Sequence, residues 1–526
     1  MPQSSPSHAR APRLARTRAK VALILTSVCA LVAAVLVPLT SHLNAQAASQ
    51  VPGTIPSLEG WTPASGSWTP AGGFQVVRTD SADAAGVSAL LSRALTDAGI
   101  TGITEGTGAA PASNAVSLTI NASRTDLGDE GYQLTVNANG AQVVAATRAG
   151  LLWGARTIEQ AVRAGQGTVP AGSITDIPRF ADRGATLCAC GTHITPDWIT
   201  RQIDRMPDLK MNYLSLELRI KSDKYPVAQQ FPFDRIDEYM EAFGSTEWHM
   251  GADEFFFKQG PGDFKKYLAQ IRSHYGDQSM TFDAAFNDFI NKVNAHVKSR
   301  GGTLRVWNDG IADISRIAID KDVIIEYWAK GESSKKDANR GLPVKDLVDA
   351  GYTVVNASSA LYYYRDQPSS YVMQVKGLEG VYGTWTMNSF YQNNGYTVPD
   401  ASIRGGKVSI WQGGHGKVTD HEAEAWVTEG LRYGAQMFWN AKTPKADGNV
   451  EAFKARIKTL GEPSTYVDPT RDTVAPGQYT IALSDGRALS VSGTTPTAGT
   501  ASDNWELAAT PDGYYQIRSV NANRCL

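Results

Sequence analysis

The chain has 526 residues, of which 42% are apolar, 19% charged and 9% aromatic, and its formal net charge is −2. These values are ordinary for a soluble multidomain protein, and they exclude a disordered chain, a collagen-like rod and a polytopic membrane protein. The 4 cysteines show no Cys-x-x-Cys or Cys/His spacing, so we expect neither a zinc site nor a disulfide framework.

Residues 1–47 have the pattern of a secretory signal peptide. Five basic residues and no acidic residue precede an apolar run from Val21 to Leu39, and Ala45-Gln46-Ala47 offers a small-residue cleavage site. An uncleaved membrane anchor is the alternative, since about 19 apolar residues can span a bilayer. Both interpretations predict export, and after cleavage we expect a secreted protein with no membrane attachment. Without residues 1–47 the chain carries 45 basic and 52 acidic residues, which is unfavourable for binding nucleic acid.

Composition and periodicity divide the remaining chain into four segments. Residues 48–73 are rich in Ser, Pro, Gly and Thr, which is typical of a linker. Residues 74–178 mix alternating strands with two helical stretches and predict a small α+β domain. Residues 179–467 repeat strand and helix, as in an α/β protein of the (β/α)8-barrel type, although only seven strands can be identified. Residues 468–526 contain short strands between turns and predict an all-β piece.

The predicted barrel strands cover residues 184–190, 211–218, 248–253, 304–307, 323–328, 352–356 and 407–411. In such a barrel the catalytic groups stand at the C-terminal ends of the strands. Asp253 ends the third of these strands and Glu254 follows it, after the small residues Gly251 and Ala252, which leave room for a ligand. Adjacent residues of a regular strand face opposite ways, so the two carboxylates can serve one site only if the strand ends there. A solvated acidic pair is the alternative.

The segment His249-Met250-Gly251-Ala252-Asp253-Glu254 resembles the His-x-Gly-Gly/Ala-Asp-Glu signature of glycoside hydrolase family 20, the β-N-acetylhexosaminidases and lacto-N-biosidases. The segment from Ala145 to Gly154 is similar to the family's non-catalytic N-terminal domain, and Ile177-Pro178-Arg179-Phe180 resembles its entry into the first barrel strand. The resemblance covers about residues 74 to 440 and implies removal of terminal β-linked N-acetylhexosamine from a glycan or oligosaccharide, without a metal or organic cofactor.

The same resemblance implies the catalytic residues of a retaining, substrate-assisted reaction, in which the substrate's acetamido group acts as nucleophile. Glu254 would be the general acid and then the base for water, and Asp253 would orient the acetamido N–H. Tyr363, chosen from Tyr362-Tyr363-Tyr364, would hold the acyl oxygen. The residues expected to contact the sugar are Arg183, His249, Trp307, Trp328 and Trp411. Packing is the alternative for the tryptophans, and a structural ion pair for Arg183.

The chain departs from the family pattern in two respects that bear on activity. Only a few residues lie between Lys221–Pro226 and Phe231–Phe233, where the family has a complete third βα unit. The acidic residue that the family carries after the eighth-strand tryptophan is Gly413 here. Two alternatives to the hexosaminidase therefore stay open: a catalytically inactive sugar-binding relic, and a lacto-N-biosidase that releases a disaccharide.

The C-terminal piece resembles part of a ricin-type β-trefoil, through Tyr514 to Arg518 and Asn521 to Cys525. A trefoil needs three such units to bury its apolar faces. We therefore expect a truncated carbohydrate-binding module.

Overall fold

The computed structural model describes the chain from residue 51 onwards. It describes the rest of the chain except residues 71–72, 110–112, 190–194, 219–232, 254–260, 329–340, 359–361, 365–376, 391–394, 412–419, 445–446, 464–476, 484, 494, 510–514 and 526. The predicted signal peptide therefore lies outside the described residues. Within the described ranges, no helix has the length and apolar character needed to cross a membrane.

The first domain is a mixed sheet with two helices against it. Its strands, in spatial order β1-β7-β5-β6-β4-β2-β3, are β1 (Thr62–Trp68), β2 (Gln75–Arg78), β3 (Thr104–Thr107), β4 (Ala115–Ile120), β5 (Tyr132–Asn137), β6 (Gly140–Ala145) and β7 (Val169–Asp176). The helices are α1 (Ala82–Asp97) and α2 (Arg148–Ala164). Each begins at a hydroxyl cap, because Ser81 accepts from Ala84 N–H and Thr147 from Gly150 N–H.

The structure corrects the linker predicted for residues 48–73. Strand β1 lies inside that stretch and pairs antiparallel with β7, and the indoles of Trp61 and Trp68 are buried. Most side chains of β1 are exposed because it forms an edge of the sheet. An edge strand tolerates the Ser, Gly and Pro content that otherwise indicates a linker, so composition alone could not distinguish the two.

The second domain is the predicted parallel barrel sheet. Its strands are β8 (Asp182–Ala189), β9 (Tyr213–Leu218), β10 (Glu247–His249), β11 (Thr303–Trp307), β12 (Ile324–Tyr327), β13 (Val354–Asn356), β14 (Tyr362–Tyr364) and β15 (Ile403–Trp411). Their order is β10-β11-β12-β13-β15-β8-β9, with β14 beside the end of β15, and every pairing is parallel.

Helices alternate with these strands and cover the outside of the sheet. They are α3 (Pro196–Asp208), α4 (Phe233–Phe243), α5 (Pro261–Tyr275), α6 (Phe282–Ser299), α7 (Val344–Asp349), α8 (Asp420–Asn440) and α9 (Val450–Leu460). Helix α3 starts as predicted, with Thr195 as its cap and Pro196 in its first turn. Apolar side chains between the sheet and these helices, such as Val408 and Phe438, form the main core.

In the part of the chain that the structure describes, no strand closes the barrel between β9 and β10. These strands are the two ends of the sheet, and the described residues contain no strand between them. Seven strand positions therefore surround the interior, as the sequence predicted, and the gap falls where the third βα unit was expected to be missing. The strand number, tilt and shear of a closed barrel are coupled, and an incomplete wall is free of that constraint.

A buried polar cluster joins the first domain to the N-terminal side of the barrel. The Nζ of Lys210 lies 2.8 Å from Oδ2 of Asp176, which also accepts from the Tyr132 hydroxyl at 2.5 Å. The other oxygen of Asp176 accepts from Nε1 of Trp439 at 2.7 Å. Burial lowers the pKa of Lys210, and the charge of Asp176 opposes that shift. We call these four side chains the interface cluster.

The C-terminal region is all-β, as expected. Its strands are β16 (Gly477–Tyr479), β17 (Ala488–Ser492), β18 (Thr495–Gly499), β19 (Trp505–Ala509), β20 (Tyr515–Ser519) and β21 (Arg524–Cys525), arranged as the sheet β16-β19-β20-β21 and the hairpin β17-β18. The buried Trp505 donates through Nε1 to Leu489 O at 3.0 Å. This arrangement does not confirm a ricin-type trefoil, which stays a prediction.

Candidate active site

Strand β10 ends at His249, four residues earlier than the sequence predicted. The reason is a turn in which both Gly251 (φ +76°) and Ala252 (φ +74°) are left-handed. A left-handed conformation costs a residue with a Cβ about 1–2 kcal/mol, so Ala252 is held there by its surroundings. The strand thus ends before the two acidic residues. This is what the sequence requires, because Asp253 and Glu254 can serve one site only if they do not lie on a regular strand. Asp253 is half-buried, and Glu254 lies outside the described residues.

Two hydrogen bonds hold the left-handed turn. The N–H of Gly251 donates to Nδ1 of His249 at 3.0 Å, and the carbonyl of Gly251 accepts from the N–H of Trp307 at 2.9 Å. The segment after β11 packs against the turn so closely that a Cβ on Gly310 would lie 2.3 Å from the Ala252 carbonyl oxygen. The turn is therefore fixed by both β10 and β11.

The three predicted tryptophans form one indole cluster at the C-terminal end of the barrel. The ring of Trp307 meets Trp328 at 6.4 Å and Trp411 at 6.2 Å between centroids, in edge-to-face geometry. Trp307 is only 3% exposed and forms the centre, whereas Trp328 and Trp411 are half-buried. Of the three, Trp328 and Trp411 therefore offer surface that a sugar could contact.

Residues that the sequence analysis did not identify fix Trp328. Its backbone N–H donates to Oδ1 of Asn308 at 2.9 Å, and its Nε1 donates to Oδ1 of Asp309 at 3.0 Å. Both acceptors are buried in the short helix 308–310, directly after β11. The signal that could have revealed them is their place after a predicted barrel strand that ends in Trp307.

The barrel interior beneath the indole cluster contains buried charges instead of an apolar core. Arg305 donates to Asp182 at 2.7 Å, to Glu247 at 2.7 Å and to Glu326 at 3.2 Å. Glu326 also forms an ion pair with Lys407, whose Nζ lies 4.0 Å above the ring of Trp307. We call these five charged residues the barrel charge cluster. The sequence signal for it was a charged residue within each of three apolar strands, at positions 305, 326 and 407.

His249 lies between the barrel charge cluster and the indole cluster. Its Nε2 is 3.2 Å from Oε2 of Glu326, and its ring is 4.7 Å from that of Trp307. Nδ1 accepts from the N–H of Gly251, whereas Nε2 is buried near Glu326 without the geometry of a hydrogen bond. Because one nitrogen is engaged and the other is buried, the described geometry does not place His249 for a sugar hydroxyl, and the predicted substrate contact stays a prediction.

The charges around His249 determine its protonation. Burial lowers the pKa of His249, and the cations Lys407 and Arg305 lower it further against the opposing effect of Glu326. Burial alone would raise the pKa of Glu326, but Lys407 and His249 outweigh it and hold this pKa well below its usual range. Burial also lowers the pKa of Lys407, which Glu326 opposes. At neutral pH the cluster thus contains an ionised Glu326 and a neutral His249.

Arg183 lies at the other end of the barrel from the indole cluster. As the second residue of β8 it is buried, donates to Glu130 at 2.7 and 2.9 Å, and also donates to the carbonyls of Phe180 and Lys210. Its guanidinium packs 5.0 Å from the ring centroid of Trp439. These contacts correspond to the structural ion pair that was the alternative to a sugar contact.

Tyr363 is placed by strand register alone, because the side chains of β14 are not among the described parts. Its position pairs with Ile410, and the flanking tyrosine positions 362 and 364 pair with Ser409 and Trp411. Strand β14 therefore ends beside the indole cluster, so the predicted tyrosine contact stays a prediction, with three candidates.

Comparison with known proteins agrees with this architecture. Residues 51–177 match glycosyl hydrolase family 20, domain 2, and residues 220–427 match the glycosyl hydrolase family 20 catalytic domain. A lacto-N-biosidase from Bifidobacterium bifidum is 31% identical over 544 residues, which is 90% of the chain and 46% of that relative. The chain therefore spans about half the length of this relative.

Solved structures with a similar fold include hexosaminidases. The β-N-acetylhexosaminidase from Bacteroides fragilis has a TM-score of 0.58 at 16% identity, covering 78% of the chain and 96% of that structure. A mutant Streptomyces plicatus β-hexosaminidase in complex with the product GlcNAc has a TM-score of 0.53 at 19% identity, covering 78% and 94%. With both domains matched in order and the barrel in place, the chain belongs to glycosyl hydrolase family 20.

Proposed function

We propose that the chain is an exported glycosidase that removes terminal β-linked N-acetylhexosamine by retaining, substrate-assisted catalysis. The observation that carries the proposal is the end of β10, where a left-handed turn stops the strand directly before Asp253-Glu254, beside the indole cluster. The basic and apolar segments of residues 1–47 support export as part of the proposal.

The proposed mechanism assigns one role to each carboxylate. Glu254 protonates the glycosidic oxygen as the leaving group departs, and the acetamido oxygen of the substrate attacks C1 to give an oxazolinium ion. Asp253 accepts a hydrogen bond from the acetamido N–H and stabilises the positive charge of that ion. Glu254, now a carboxylate, takes a proton from the water that opens the ring, which restores the acid and retains the configuration. Tyr363 is proposed to hold the acyl oxygen.

The half-buried indoles Trp328 and Trp411 are proposed as walls around the sugar. Their faces suit sugar C–H surfaces, and their positions exclude water from the reacting carbon. Asp309 supports this role indirectly, because it holds Trp328 in one orientation through Nε1.

The first test is hydrolysis of 4-nitrophenyl N-acetyl-β-D-glucosaminide, with the matching glucoside as the control that lacks the acetamido group. We expect turnover of the first substrate only, and equal turnover of both would rule out the substrate-assisted mechanism. Glu254→Gln should abolish turnover of a substrate with an alkyl leaving group and leave the melting temperature unchanged. With nitrophenolate, which departs with little need of a proton, the loss should be smaller but still large, because the base for water is also removed. A folded wild type that is inactive on this monosaccharide and also on the disaccharide substrate described next would favour the non-catalytic relic.

A second candidate function is release of a disaccharide. It is favoured by the relative at 31% identity, which is named a lacto-N-biosidase. The 4-nitrophenyl β-glycoside of lacto-N-biose distinguishes the two. A kcat/KM for this disaccharide well above that for the monosaccharide would replace the hexosaminidase assignment with the biosidase.

A further inference from the structure

We propose that His249 is a positioning residue, held as its Nε2–H tautomer by Glu326 and Lys407, and that its Nδ1 fixes the left-handed turn before the Asp253-Glu254 pair. The inference rests on the proposed function for its effect on catalysis. It concerns residues that the proposed mechanism does not use.

The first step is the dependence of the turn on His249. Of the two hydrogen bonds that hold Gly251, the one from its N–H goes to a side chain, Nδ1 of His249, and the other goes to the backbone N–H of Trp307. A side chain can be substituted or protonated, whereas a backbone group of a barrel strand cannot. The hydrogen bond to His249 is therefore the contact of this turn that a substitution or a protonation can remove.

The second step is the tautomer. A ring nitrogen that accepts a hydrogen bond carries no proton, so the proton of a neutral His249 is on Nε2. That nitrogen faces Oε2 of Glu326 at 3.2 Å, and a carboxylate there favours N–H on the nitrogen that faces it. The opposite tautomer would direct two N–H groups at each other at Gly251 and would leave Nε2 facing a carboxylate without a proton.

The third step is what holds Glu326 in place and His249 neutral. Three charged groups face the imidazole from three strands: Glu326 from β12, Lys407 from β15 and Arg305 from β11. Lys407 is fully buried between Glu326 and the ring of Trp307, so its ammonium is fixed in position. It pairs with the carboxylate that would otherwise stabilise an imidazolium.

The consequence for catalysis is geometric. Asp253 and Glu254 follow the turn directly, so a change of φ at Gly251 or Ala252 moves both carboxylates relative to the indole cluster. A displacement of about 1 Å in a catalytic group can lower the rate about 100-fold. His249 therefore acts on kcat through the turn without contacting the sugar.

The activity test compares two substitutions of His249. Asn places Oδ1 close to the site of Nδ1 and can accept from Gly251 N–H, whereas Phe keeps the ring against Trp307 and has no acceptor. We expect His249→Phe to lower kcat about 100-fold with little change in KM, because positioning is lost and ground-state binding is kept. His249→Asn should recover most of the loss. Equal kcat values for the two variants, both folded by circular dichroism, would overturn the inference.

A second readout does not depend on activity, so it separates failure of this inference from failure of the proposed function. The chain has 8 histidines, and ¹⁵N-histidine labelling reports the protonation of each ring nitrogen. The His249 signals are assigned by their absence in His249→Asn. We expect a neutral Nε2–H ring at neutral pH, and an imidazolium or an Nδ1–H ring would overturn the inference even in an inactive protein.

Discussion

The described part of the chain contains two buried lysine–carboxylate pairs, and their surroundings differ. In the interface cluster, Asp176 receives Lys210, Tyr132 and Trp439, all of which join one domain to the other. In the barrel, Glu326 receives Lys407 and also faces His249, which leads to the turn before the acidic pair. The same chemistry thus stabilises the assembly of domains in one place and shapes the site in the other.

The two ion pairs differ in the residues that surround them. The partners of Asp176 belong to β5, α8 and the residues before β9, far in sequence from the motif at 249–254. One neighbour of Glu326, His249, is hydrogen-bonded to Gly251, the first of the two left-handed residues. A buried ion pair therefore indicates function only when its neighbours include groups of the site.

The largest effect is expected from Lys407→Met. It leaves Glu326 to pair with His249, so the pKa of His249 rises, and the protonated ring can no longer accept from Gly251 N–H. Activity should fall about 100-fold and disappear at a higher pH on the acid side than in the wild type. The unfolding free energy should fall by about 3 kcal/mol, since the buried Glu326 loses one of its two cationic partners and keeps only Arg305. The measurements are the pH profile of kcat and denaturant unfolding. An unshifted acid limb would contradict the expected coupling.

The matched control is Lys210→Met, which is the same substitution in the interface cluster. We expect a similar loss of about 3 kcal/mol in unfolding free energy, because Asp176 stays buried with only neutral donors. The kcat value and its pH profile should match those of the wild type at a temperature where the variant is folded. Urea unfolding and the pH profile together check this. If Lys210→Met shifts the acid limb as Lys407→Met does, the two pairs do not differ as described.

A smaller effect is expected from Arg183→Lys. Lysine cannot reproduce the two-pronged contact with Glu130, so the unfolding free energy should fall by about 2 kcal/mol. The KM for the glucosaminide should stay unchanged, since Arg183 is buried at the N-terminal side of the barrel. Steady-state kinetics with melting curves measure both. A raised KM with wild-type stability would restore Arg183 as a substrate contact.

Much of the fold was predictable because periodicity is local. The strand 115–120 and the helix beginning after Thr195 agree with the prediction, and all seven predicted barrel strands are present. The early end of β10 was not predictable, since it depends on the hydrogen bond from Trp307 N–H to the Gly251 carbonyl, which joins separate strands, and on the Gly251 N–H bond to the His249 ring. For the same reason β1, an edge strand with a polar sequence, was interpreted as a linker.

The site was predictable only in part. The acidic pair was predictable from its motif, and the tryptophans from their places at strand ends. Lys407, Glu326 and Arg305 were not, because their role depends on the ion pairs that they form with one another across the barrel interior. Strand periodicity gives no distance between strands that are not neighbours in sequence. Register alone also leaves the choice among three tyrosines at β14 open.

Arg305 helps to hold the barrel strands together where the described strands do not form a closed ring. It projects from β11 and binds Asp182 on β8 and Glu247 on β10, so it ties together strands that are not neighbours in the sheet. In a complete barrel the ladder of backbone hydrogen bonds sets the diameter and the relative sliding of the strands. Among the described residues no strand continues that ladder from β9 to β10, and the Arg305 guanidinium inside the barrel links β8 and β10 through side chains. The curvature of this sheet is therefore maintained partly by side chains.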